Sequence, residues 1–180
     1  TALILSVEPT LHVWENALST GSMPFLADCR VQGDAVCPNA SYIEMVLAGI
    51  AEQQGNVPVV LEEIAFDRLL PMTKDPDRRI QMVLADETPE RKTFRVCSRE
   101  VGSSTWTQHA SGKARTGMGV SGARIARDRP RAIQARCSTM LTSNEFYGQL
   151  EAGGYSYGKC FRSIDMLWLG QNEALARANL

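Results

Sequence analysis

The chain of 180 residues predicts an α+β fold, one long helix beside mostly antiparallel strands. Three observations carry this. After Pro38, apolar residues recur at helical spacing, with Ile43, Val46, Leu47 and Ile50 at i, i+3, i+4 and i+7. Between residues 57 and 114, apolar and polar residues alternate in short runs broken by turn-forming residues. A content of 44% hydrophobic residues suits a buried core, yet no apolar run approaches the roughly 18 residues that a membrane helix needs.

Thr1 to Val7 is apolar, short and without a basic flank, so it reads as a first strand or the cut edge of a larger polypeptide, not as a signal peptide. The long helix follows Pro38. Asn39 or Ser41 is placed to cap it, and Ser41-Tyr42-Ile43-Glu44 has the capping-box pattern. Ala40, Ala48, Gly49 and Ala51 are small enough for the helix to lie close against a sheet, and Gly55 is placed to end it. Val57 to Leu70 is rich in β-branched residues, and Pro71 to Asp77, with two prolines and two aspartates, reads as a turn. Arg79 to Ala85, Lys92 to Arg99 and Thr105 to Ala114 read as three further strands.

From Arg115 to Arg131 the chain is glycine-rich and basic, which reads as a solvated linker, with a docking patch for an acidic partner as the alternative. Thr142-Ser143-Asn144-Glu145 is a second capping-box pattern and opens a short helix with Phe146, Tyr147 and Leu150 on its apolar face, closed by Gly153-Gly154. Ile164 to Leu169 and Ala174 to Leu180 read as strands. This divides the chain into residues 1–115, a linker at 116–131, and residues 132–180.

Bulk chemistry excludes several functions. A net charge of −1 supplies no field to attract nucleic acid or an anionic membrane. The cysteines Cys29, Cys37, Cys97, Cys137 and Cys160 contain no C-x-x-C pair, and the histidines are His12 and His109, so a zinc site lacks its ligand spacing. Reduced thiols in a cytoplasmic protein are the expected state.

Three ordered motifs point to a family. Cys29-Arg30-Val31-Gln32-Gly33-Asp34-Ala35-Val36-Cys37-Pro38 is similar to H-x-x-x-G-x-x-x-x-P, with Gly33 and Pro38 at the right spacing and Cys29 in the histidine position. Trp106-Thr107-Gln108-His109-Ala110-Ser111-Gly112 looks like W-x-x-H-A-x-G. Phe146-Tyr147, followed by Gly153-Gly154-Tyr155-Ser156-Tyr157-Gly158-Lys159-Cys160-Phe161, looks like F-Y-x-x-L-x-x-x-G-Y-x-Y-G-P-x-F, with Lys159 replacing the proline. Together these resemble the dehydratase domains of polyketide synthases.

The resemblance implies a double hotdog, in which each central helix is wrapped by an antiparallel sheet. Residues 1–115 would then form the first hotdog and 132–180 the start of a second. It implies dehydration of a β-hydroxyacyl thioester to the enoyl thioester, the substrate being carried on the phosphopantetheine of an acyl carrier protein. It also implies neighbouring synthase domains as partners, a homodimer, no metal and no organic cofactor. Gly33, Pro38, Tyr157, Gly158 and Phe161 would lie at the substrate, and Cys29 would stand at the catalytic base. The acid in these enzymes is an aspartate on a helix of the second hotdog. Its motif would follow Leu180 and has no match in this chain; Asp165 falls on a probable strand.

The base position carries the chemical question. Imidazole, with a pKa near 6.5, is neutral at pH 7 and basic enough to take an α-proton, whereas a thiol near 8.5 is only a few per cent thiolate. Cys29 is readable as a small residue lining a relic pocket, as a nucleophile, or as an engineered or unusual catalytic residue. Tyr157 is readable as a donor to a substrate carbonyl or as a buried, hydrogen-bonded tyrosine. Two functions follow: a dehydratase with impaired or absent activity, or a non-catalytic double-hotdog scaffold, of the branching type beside a ketosynthase, that positions acyl carrier protein.

Overall fold

The computed structural model describes residues 3–4, 8–75, 78–117 and 130–179. In chain order the elements are β1 (Leu3–Ile4), β2 (Leu11–Ala17), β3 (Cys29–Val31), β4 (Asp34–Ala35), α1 (Asn39–Gln54), β5 (Val59–Phe66), β6 (Arg78–Thr88), β7 (Arg91–Glu100) and β8 (Thr107–Thr116). There follow α2 (Pro130–Arg136), β9 (Thr139–Thr142), α3 (Ser143–Ala152), β10 (Tyr155–Tyr157), β11 (Ile164–Leu169) and β12 (Ala174–Ala178). Most of the basic segment expected as a linker, residues 118–129, lies outside the described residues, as do Pro76 and Asp77 of the expected turn and most of the first strand expected at Thr1–Val7.

Two compact units emerge. The first gathers the described residues of Thr1–Pro24 and Val36–Ala123, the second those of Phe25–Ala35 and Arg124–Leu180. This partition differs from a division by chain order, because residues 25–35 cluster with the C-terminal part.

The first unit is a six-stranded antiparallel sheet in the order β1-β2-β6-β7-β8-β5, with α1 against it. Alternation explains its core. Ile80, Met82 and Leu84 on β6 stand opposite Ser98, Val96 and Phe94 on β7, and all six are buried. Phe94 in turn faces Gly112 on β8. A Cβ at Gly112 would come within 2.6 Å of the Phe94 ring, so glycine here makes room for an aromatic side chain that is 1% exposed. A long helix on an antiparallel sheet is the hotdog arrangement expected for this part of the chain.

Helix α1 departs from expectation in two respects. Asn39 and Ser41 lie inside it and neither caps it: the N-cap is Pro38, at φ −63° and ψ 140°, without a side-chain hydrogen bond. The approach is instead fixed by backbone, through the Val36–Pro71 bridge and the Cys37 N–H donating to Leu70 O at 2.9 Å. The buried face runs through Tyr42, Val46, Gly49 and Ile50, leaving Leu47 exposed. Tyr42 turns the helix this way because its ring stacks on buried His109, with centroids 6.3 Å apart. Of the small residues, Gly49 is the one that meets the sheet: an added Cβ would strike Met82 and touch Trp14. At the far end, Gly55 takes φ +72° and its N–H returns to Ala51 O, closing the helix as expected.

In the second unit, β12-β11-β9 and β10-β3-β4 form two three-stranded antiparallel sheets. Helix α3 begins with a complete capping box between Thr142 and Glu145, as its sequence predicts. Helix α2, starting on Pro130, and strand β9 are additions to the sequence reading. Proline suits the first helical turn, where its missing N–H has no intrahelical partner.

Candidate active site

The site assembles around β3 and its two neighbours in the second unit. Strand β3 turns into β4 through Gln32 and Gly33, both at positive φ (52° and 91°). Two consecutive positive φ values are what a two-residue hairpin with native twist demands, and Gly33 supplies one without strain. An added Cβ at Gly33 would meet nothing within 4 Å, so its requirement is conformational. The Arg30 guanidinium donates to Gly33 O at 2.9 Å and is exposed, on the face opposite Cys29.

Strand β10 completes this sheet. Tyr155, Ser156 and Tyr157 pair with Val31, Arg30 and Cys29 respectively. Directly paired residues project to the same face, so the Cys29 thiol and the Tyr157 ring are cross-strand neighbours. Cys29 is 6% exposed and Tyr157 half-buried. Burial pushes the Cys29 thiol above its ordinary pKa. Burial, and then the neighbouring Cys29, push the Tyr157 phenol up as well. At neutral pH both groups therefore carry their protons.

Beyond Tyr157 the chain passes through Gly158 into a single 3-10 turn, Lys159–Phe161. Gly158 has an ordinary negative φ, so what it provides is space: an added Cβ would collide with the Asp28 carboxyl group. The Phe161 ring lies 6.4 Å from that of Phe25, and its carbonyl accepts the Tyr147 hydroxyl at 3.2 Å. Tyr147, 5% exposed on α3, also accepts the Ile164 N–H at 3.2 Å and meets the Tyr157 ring edge-on at 6.2 Å. It braces the site from behind.

The structure thus brings together Cys29, Gly33, Tyr157, Gly158 and Phe161, while Pro38 starts α1 in the first unit. Asp28 and Gln32 were not singled out by sequence reasoning. The Gln32 N–H donates to Gly154 O at 2.7 Å, and its side-chain amide fills the space a side chain at Gly154 would need. For Asp28 the available signal was adjacency to Cys29.

His109 lies elsewhere, in the core of the first unit. Its Nδ1 donates to Arg68 O at 3.0 Å, so Nε2 is left to accept the Ser98 hydroxyl at 2.7 Å. Burial is the main cause of its lowered pKa. Both ring nitrogens are engaged and the imidazole is a neutral structural group. Among the described residues no three His, Cys, Asp or Glu side chains gather to hold a metal.

Chemically, the Cys29–Tyr157 pair offers two protonated donors on one face. Such a pair suits hydrogen bonding to a carbonyl, and it contains no group that is basic at neutral pH.

Comparisons with known proteins converge. The family profile described as polyketide synthase dehydratase domain matches residues 3–99, and that described as polyketide synthase dehydratase N-terminal domain matches residues 125–180. Polyketide synthase GfsE of Streptomyces halstedii is 27% identical over 175 residues, covering 93% of this chain and 4% of that protein. Polyketide synthase PksN of Bacillus subtilis is 27% identical over 198 residues, covering 97% of this chain and 3% of that protein. Among solved structures, the dehydratase domain from the CurJ module of curacin polyketide synthase superimposes with a TM-score of 0.79 at 29% identity, covering 98% of this chain and 59% of that one. The CurK dehydratase domain gives 0.84 at 24% identity, over 99% and 63%. CurJ and CurK have each also been solved as an inactive mutant in which a histidine is replaced by phenylalanine.

Proposed function

The chain belongs to the polyketide synthase dehydratase family, and from that premise we propose that it is a dehydratase-like domain of a modular polyketide synthase whose dehydration chemistry is impaired at its base. The family reaction removes the α-proton of a β-hydroxyacyl thioester and expels the β-hydroxyl, which leaves as water with a second proton. The α-proton needs an acceptor that is unprotonated at neutral pH. The observation that carries the reading is Cys29: it stands in the family's histidine position, is paired with Tyr157, and is buried so that its thiol holds its proton. The inactive CurJ mutant, in which a histidine is replaced by phenylalanine, supports the need for a histidine in this chemistry.

The substrate class is a β-hydroxyacyl chain on the phosphopantetheine of an acyl carrier protein. Carrier protein and neighbouring synthase domains are the proposed partners, and the chain spans a few per cent of the multidomain synthases it matches. A homodimer in the cytoplasm, acting without metal or organic cofactor, completes the proposal. The second reading, a scaffold that positions acyl carrier protein, is favoured by the same pair of protonated donors, which can hold a thioester carbonyl but not deprotonate its neighbour.

The test is incubation with a β-hydroxyacyl pantetheine thioester, followed by mass spectrometry for loss of water. The parent chain is expected to stay at background. Cys29→His is expected to raise turnover if impairment at the base is the defect. Parent turnover well above background would sink the proposal, and an inert Cys29→His would show that the base is not the sole defect, in keeping with the acid motif having no match in this chain.

A further inference from the structure

One residue outside the quoted motifs holds the segment that follows Tyr157. Asp28 immediately precedes Cys29, and its backbone oxygen accepts the Gly158 N–H at 2.7 Å. Its carboxylate accepts the Cys160 N–H at 3.0 Å and also the Cys160 thiol. The same carboxyl group fills the space left by the missing side chain of Gly158. The paired rungs of β3 and β10 end at Cys29–Tyr157, and the Gly158–Asp28 backbone bond is the one further step of that pairing. The 3-10 turn beyond is three residues long and gains no side-chain bond from its own N-cap, Gly158. Backbone bonds close the turn from Phe161 N–H to Gly158 O, the Tyr147 hydroxyl holds Phe161 O and Arg162 holds Tyr157 O; the Asp28 carboxylate adds the tie at Cys160.

We infer that Asp28 is a positioning residue for the Cys29–Tyr157 pair, clamping the Gly158–Cys160 turn through its carboxylate so that Tyr157 keeps its place opposite residue 29. This rests on residue 29 being the family's base position. The carboxylate works as a hydrogen-bond acceptor. It is no substitute for the catalytic acid, because the Cys160 N–H, the Cys160 thiol and the Arg30 charge hold it below the usual carboxylate range, whereas an acid must retain its proton. The complementary effect falls on Cys160, whose thiol is pushed up by its bond to Asp28.

An acceptor role separates two substitutions. Asparagine keeps an oxygen for the Cys160 N–H; alanine does not. In amide hydrogen exchange on the parent chain, Asp28→Ala is expected to accelerate exchange at Cys160 by about tenfold, and Asp28→Asn to stay within about threefold of the parent. Gly158→Ala, which displaces the carboxyl group, is expected to reproduce Asp28→Ala, and the double variant to exchange no faster than either alone. In a Cys29→His background, Asp28→Ala is expected to lower kcat about tenfold with KM within about twofold, and Asp28→Asn to restore it. Unchanged Cys160 exchange in Asp28→Ala, or Asp28→Asn as damaging as Asp28→Ala, overturns the inference. An inert Cys29→His beside accelerated exchange in Asp28→Ala leaves the clamp in place and puts the missing turnover on a group other than residue 29.

Discussion

His109 illustrates how one residue can match a family motif and still be a core group. Folded, it is neutral, with its pKa depressed by burial below the ordinary 6.5; unfolded, it takes up a proton near that value. Between the two pKa values the unfolded chain binds more protons, so stability rises with pH there. The contribution is complete above about 6.5 and is lost as pH falls through the folded pKa. Urea unfolding at pH 5.5 and 7.5 is therefore expected to show a gain at the higher pH that shrinks in His109→Gln. An identical gain in both proteins would contradict the neutral-core assignment. Cys29 is the opposite case: adjacent to no other motif residue in sequence, it meets Tyr157 only through strand pairing.

Two helix starts that look alike in sequence behave differently as elements. The Thr142–Glu145 capping box is made, whereas the Ser41–Glu44 pattern falls inside α1 and caps nothing. Thr142→Ala is expected to cost about 1 kcal/mol and Ser41→Ala close to nothing, measured by denaturant unfolding. Equal losses would contradict the observed caps. The difference shows what was legible. Strands β6 and β7 could be read because their length and alternation are local properties, and β11 as a short apolar run. The first turn of α1 could not, since the Cys37–Leu70 backbone bond from a distant segment starts it at Pro38. Strands β3, β4, β9 and β10 are two to four residues each and carry little periodicity of their own; β9 and β10 exist through partners distant in the chain, and β3 and β4 through a two-residue hairpin that β10 completes. Leu47 was misplaced because spacing names a helical stripe but not which part of it the sheet covers. For the site, the glycines and Tyr157 were legible as motif letters, while the reason for Gly158 required Asp28 to be seen beside it.

Across the whole molecule, the chain order of the two units is interlaced. Residues 25–35 sit between stretches of the first unit and supply two strands to the second. A fragment of residues 124–180 therefore lacks the partner of β10, and fast amide exchange at Tyr155–Tyr157 is expected in it, slowed by adding a peptide of residues 25–35. Protection in the fragment alone would show that β10 is ordered without β3. The Asp28–Cys160 bond joins positions 132 residues apart. At the roughly 5–20 residues per second of synthesis, Asp28 waits about 7–26 seconds for its partner to be made. During that interval Leu26 and Cys29, both buried in the finished protein, have no completed site to enter. The segment that matters most for chemistry is thus the one that spends longest exposed on the nascent chain, and it is where a chaperone or an aggregating neighbour would first find a hold.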